Sequence, residues 1–211
     1  MSSPSVQQPS KPSMRRLVNF YDPTTKGPAA RGRTLDEILA WNDNQLEGLH
    51  NYIQTVFPLP EESGFGHDAP VLDEETMLIF SQSPELKSNL LRALKRMLAF
   101  YGFDAEDKEV SDSSNSPVSQ LTITPMKNCE RGFSHWVKRI DHNHFRITRI
   151  IRSLRILGLP GAAKDFFDAL IKVYEARGII GPTSVDFWTR AMKQPLQYAP
   201  DGTVVAWLEK Y

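Results

Sequence analysis

The sequence predicts a mainly α protein: one compact, orthogonal bundle of helices. Apolar residues recur at helical spacing in segments of 10–18 residues, each bounded by a capping residue, a proline or a glycine. No sustained alternation marks a strand, and no heptad persists long enough for a coiled coil. The 211 residues suit a single domain with tails, and 40% hydrophobic with 10% aromatic content can fill a sizeable core.

Residues 1–16 are rich in Ser, Pro and Gln, which predicts a disordered tail. Leu17–Tyr21 is a short ordered segment, and Asp22–Arg33 is a loop punctuated by Pro23, Gly27, Pro28 and Gly32. Thr34 with Glu37 forms a capping box that starts a helix. Asp43 or Asn44 starts the next, with Leu46, Leu49, Ile53, Val56 and Phe57 on one face, ended by Pro58 and Pro60. After a loop at Glu61–Pro70, Asp73 caps a short helix and Ser83-Pro84-Glu85 opens a longer one that stops at Gly102. Residues 104–127 are polar, with SDSSNS at their centre, and read as a flexible insertion within the domain. As a boundary, that stretch would leave each half to bury a core in under about 100 residues.

The central element is Trp136–Gly158, with two histidines, an asparagine and five arginines beside an apolar stripe. Asp141 or Asn143 can cap its start, and Gly158 suits its stop. At about 100° per residue, Ile147, Ile150, Ile151, Leu154 and Leu157 share one face. Arg146, Arg149, Arg152 and Arg155 spread over the other half, where Phe145 and Ile156 also project. A solvated face needs neither, so the helix should be covered on more than one side. A buried guanidinium then needs carboxylates, carbonyls or an anionic guest. Arg152, near Phe145 and Ile156, is expected to be enclosed. Arg146 and Arg149, beside the helix N-terminus, are expected to face a cleft that takes an anion. Pro160 opens another helix closed by Gly178, and Thr183 or Ser184 caps a last one. The domain thus runs over residues 17–193, with 194–211 as a C-terminal extension.

The balance of 25 basic and 25 acidic residues argues against general nucleic-acid binding. One cysteine, Cys129, rules out an intrachain disulfide. No apolar run reaches the roughly 18 residues of a transmembrane segment, and the N-terminus lacks a signal-peptide core. A cytoplasmic or nuclear, intracellular setting is expected. The sequence assigns no oligomeric state.

Chemical motifs are sparse. His142 and His144 diverge by about 200° on a helix, and neither HExxH nor CxxC occurs, so no metal or cofactor is expected. No GxSxG, P-loop or GxGxxG appears. Ser153 lies mid-helix, where it should bond its own backbone. Candidate ligand-binding residues are His50, Tyr52, Gln54, His142, Asn143, His144, Arg146 and Arg149. They are polar groups on two otherwise apolar helices, and a domain of this size tends to gather such groups in one cleft.

The wording of two stretches carries a resemblance. WNDNQLEGLHNYIQTVFPL (Trp41–Leu59), with Ala69–Pro70, and HNHFRITRIIRSLRILGL (His142–Leu159) resemble signatures of the opioid growth factor receptor conserved domain family, and LKRMLAFYGF (Leu94–Phe103) fits as well. The similarity spans roughly residues 19–191. The animal namesake is described as a nucleus-associated receptor for an opioid peptide. The long repetitive C-terminal tail of the vertebrate receptor has no counterpart here, so a tail-dependent signalling role is not implied. Two functions fit: a binding module for a peptide or small anionic ligand, or a cofactor-independent small-molecule enzyme (isomerase, lyase or cyclase) or accessory protein of specialised metabolism. A closed pocket joining His50, Tyr52 and His144 favours the enzyme; an open basic groove favours binding.

Overall fold

The computed structural model describes residues 12–29, 31–62, 69–108 and 120–211. In chain order the elements are α1 (Pro12–Tyr21), α2 (Leu35–Leu39), α3 (Asp43–Gly48), α4 (Ile53–Val56), α5 (Glu74–Gln82) and α6 (Pro84–Phe100). These are followed by β1 (Phe103–Asp107), β2 (Leu121–Pro125), α7 (Cys129–Phe133), α8 (Asn143–Ile156), α9 (Pro160–Arg177) and α10 (Pro182–Lys193). The mainly α class holds. Most of the expected tail lies outside the described residues, but from Pro12 onward the chain is already helical.

Local signals set most helix starts. The Thr34–Glu37 capping box is formed, Asp73 accepts from the Thr76 N–H, and Ser83 caps α6 with Pro84 behind it. The stripe of α8 is the centre of the core: Ile147, Ile150, Ile151, Leu154 and Leu157 are all fully buried. It packs on α9 and α10. Gly158 follows with φ of 84°, the left-handed turn that a Cβ disfavours.

Two expectations are corrected. The stretch 104–127 begins and ends in an antiparallel ladder, with Phe103 opposite Pro125 and Asp107 opposite Leu121. Each strand buries a single residue, Phe103 or Leu121, so the alternation that would signal a strand is missing. The backbone N–H of Leu121 also donates to Asp165 on α9 at 2.7 Å. Residues 109–119, with the SDSSNS run, lie outside the described residues. The second correction concerns the helix expected from Asp43 to Phe57. It breaks after Gly48, where Leu49 turns extended, and resumes at Ile53. The carbonyls needed to continue it are taken by a side chain of α8, described below.

A close approach fixes the start of the ladder. A Cβ on Gly132 would lie 2.3 Å from the Gly102 backbone nitrogen, and Gly102 itself has φ of 89°. Gly132→Ala is therefore expected to cost about 1–3 kcal/mol through forced backbone displacement. Urea denaturation of the variant checks it; an unchanged midpoint would mean that α7 is free to shift. Past α10, Tyr198 bridges Val204 and a 3₁₀ turn at Ala206–Leu208 buries Leu208, so the C-terminal extension is docked.

Candidate functional site

The polar half of α8 is folded into the domain, and each of its arginines serves the end of another segment. The last carbonyls of a helix have no partner within it. Arg146, only 5% exposed, reaches the end of α3, donating to Leu46 O at 2.9 Å, Glu47 O at 3.3 Å and Leu49 O at 3.2 Å. Arg155 does the same at the end of α10, through Ala191 O at 2.7 Å and Gln194 O at 2.9 Å. Arg152 is 1% exposed; it pairs with Glu61 and donates to Leu196 O and Tyr198 O, each at 3.1 Å. The Ser153 hydroxyl donates not to its own helix but to Pro58 O at 2.9 Å.

Arg149 differs. Among the described residues its hydrogen bonding is confined to one carbonyl, Phe57 O at 3.2 Å, just past α4. Burial pushes its pKa down to about 10 and Glu61 opposes this, so the guanidinium stays charged at neutral pH. The side chain is half-buried in the wall of a cleft of about 650 Å³ that runs along α8. His50, Gln54, His142, Arg146, Arg149 and Arg152 all line it. Apolar groups such as Ile53, Leu59 and Phe187 supply much of the rest. Phe145, expected to be covered, is 70% exposed and lies on the rim, whereas Ile156 is 4% exposed, as expected.

The cleft thus gathers some of the candidate residues and not others. His50 and His142 meet, with ring centroids 5.2 Å apart. Tyr52 does not line the cleft: it is 2% exposed, donates to Met97 Sδ at 3.6 Å, and lies under the Arg146 guanidinium. Burial pushes its pKa up to about 12, so the phenol keeps its proton near neutrality. Asn143 is a structural clamp, donating to Glu47 at 3.0 Å and His135 O at 2.9 Å and accepting from Arg146 at 3.2 Å. His144 points away from the cleft, as the 200° divergence from His142 requires. It is 4% exposed, with Nε2 at 2.7 Å from Trp136 O and Nδ1 at 2.7 Å from Ser184 Oγ. The first contact fixes Nε2 as donor and the second makes Nδ1 the acceptor. Burial holds its pKa below the usual histidine range, which suits a neutral core ring.

The helix N-terminus is not an open anion site. Asp141 already occupies it, accepting from the Asn143 N–H at 2.9 Å. Two carboxylates escaped the sequence reading. Glu61 neutralises Arg152, and Glu47 lies between Asn143, His135 and His142, with His135 Nδ1 at 3.6 Å and His142 Nε2 at 3.5 Å. The available signal was the demand of a buried arginine for an acid. Three arginines and three acids, Glu61, Glu62 and Asp201, line the cleft, so it is not the basic groove considered from sequence. Among the described residues no cluster of histidine, cysteine and acidic side chains is placed to hold a metal, and no helix is long and apolar enough to cross a membrane.

The architecture defines the class: a mainly α domain organised on one arginine-rich helix, with a cleft along that helix. The chain matches the family described as the opioid growth factor receptor (OGFr) conserved region over residues 13–195, and it belongs to that family. It is 37% identical to the opioid growth factor receptor of Rattus norvegicus over 131 residues, 61% of this chain and 20% of that protein. The Homo sapiens receptor is likewise 37% identical over 131 residues, 18% of its length. Opioid growth factor receptor-like protein 1 of Xenopus tropicalis is 33% identical over 155 residues, 72% of this chain and 27% of that protein. The chain therefore spans about a quarter or less of the curated relatives it matches. No solved structure matches it.

Proposed function

We propose that this domain is a binding module whose cleft captures a small anionic ligand or a peptide, with its carboxylate on Arg149. One observation carries the reading. Arg146, Arg152 and Arg155 spend their donors on backbone carbonyls, on Asn143 and His50, or on Glu61, whereas Arg149, bonded among the described residues to one carbonyl, places a charged guanidinium in the cleft wall. A half-buried charge of that kind gains most from an anionic partner. The relatives are named as receptors, which fits capture better than turnover. An acid–base enzyme draws less support, since it needs His50, Tyr52 and His144 in one pocket. We place the module inside the cell, in keeping with its lone Cys129.

The test uses 3-phenylpropionate as a monocarboxylate probe in calorimetric titration. Arg149→Ala is expected to weaken binding by about ten- to a hundredfold, the loss of a charge-assisted hydrogen bond. It should cost only about 1 kcal/mol of stability, because one carbonyl loses one donor. Equal binding by both proteins would remove Arg149 from the site.

A further inference from the structure

Arg146 fixes more than the end of α3. Its Nη2 lies 2.8 Å from His50 Nδ1. A guanidinium offers only donors, so Nδ1 must accept, and the ring proton must sit on Nε2. The ring is then neutral, because a doubly protonated imidazole has no acceptor. Partial burial, the Arg146 charge and His142 all hold the His50 pKa below its ordinary value, against Glu47 alone. The remaining ring surface is exposed in the cleft wall, edge-to-face with His142.

We propose that His50 is a specificity-determining residue of the cleft: a neutral Nε2–H donor, oriented by Arg146, that selects a ligand carrying an uncharged acceptor close to its carboxylate. This rests on the reading of Arg149 and adds a second contact to it. Arg146 and Arg149 are three residues apart on α8, about 4.5 Å along the axis. His50, held by Arg146, lines the same cleft as Arg149. Successive residues of an extended chain advance by about 3.3–3.6 Å, so a carboxylate and the amide carbonyl before it present two acceptors close together to two donors of one cleft. The chemical class is an N-acylated amino acid or a peptide C-terminus. A phosphate dianion fits poorly, because the cleft lining carries three carboxylates beside its three arginines.

Three probes that share a phenyl group test this: N-acetyl-phenylalanine, 3-phenylpropionate and phenyl phosphate. The wild type is expected to bind the first about tenfold tighter than the second, the worth of one added hydrogen bond. Phenyl phosphate should bind weakest. His50→Phe should bring the first two affinities together, removing the tenfold preference for N-acetyl-phenylalanine. In the wild type, long-range proton–nitrogen NMR should show His50 as the Nε2–H tautomer at pH 7.5, independently of any variant's folding. A preference that survives His50→Phe, phenyl phosphate as the tightest ligand, or a His50 that is protonated on Nδ1 overturns the proposal. In each of those cases the Arg149 reading stands if Arg149→Ala still abolishes 3-phenylpropionate binding. If no probe binds, or Arg149→Ala changes nothing, that reading fails and the role of His50 fails with it.

Discussion

Arg152→Ala is expected to lower the unfolding free energy by about 3–5 kcal/mol, because it leaves the largely buried Glu61 carboxylate in the cleft wall without the cation bonded to it. It also strips the Leu196 and Tyr198 carbonyls of their donor, so the docked C-terminal extension loosens with it. Domains of this kind are stable by only about 5–15 kcal/mol, so the loss is a large share of the total. Urea denaturation followed by tryptophan fluorescence reads it directly. The decisive control is Arg152→Met combined with Glu61→Met. Removing both charges leaves no uncompensated ion, so the double variant should recover much of the loss. If Arg152→Ala is silent, the pair is not a structural strut and α8 is rotated from its described position.

Arg146→Ala is the second large effect, expected at no less than about 3 kcal/mol. It removes the cap on α3, leaving Leu46 O, Glu47 O and Leu49 O to find new donors, and deprives Asn143 of a partner. Arg146→Lys should recover little. A lysine ammonium keeps the charge but lacks the planar fork that bridges several acceptors. Thermal melts of both variants check this, and a lysine variant as stable as the wild type would show that charge alone holds α3. Unlike Arg149→Ala, both substitutions should disturb the fold before they disturb binding.

Sequence reading went furthest where the information was local. The capping box at Thr34, the proline at Pro84 and the five-residue stripe of α8 each follow from contacts within a turn or two. The enclosure of Arg152 was also legible, because Ile156 beside it made no sense on a solvated face. The partners of Arg146 were not legible, for a different reason. A helical wheel gives the direction of a side chain but not what stands opposite, and here that is the end of α3, 100 residues earlier in the chain. The same contact ends the helix after Gly48, a break for which periodicity offers no signal. His144 was grouped with His142 by adjacency although their angular separation already set them on different faces. The β-ladder was unreadable because each strand buries only one side chain.

The central claim is that the cleft along α8 receives a carboxylate at Arg149. Its most direct test is a proton–nitrogen NMR titration of the wild-type protein with N-acetyl-phenylalanine, following the arginine side-chain Nε–H signals with the backbone. The account predicts that the Arg149 Nε–H signal moves most, together with the amides of Thr148 and Leu59 along the cleft. Arg152 and Arg155, whose donors are already engaged, should move little. Shifts centred on Asp141 and the start of α8, with Arg149 unmoved, would contradict it.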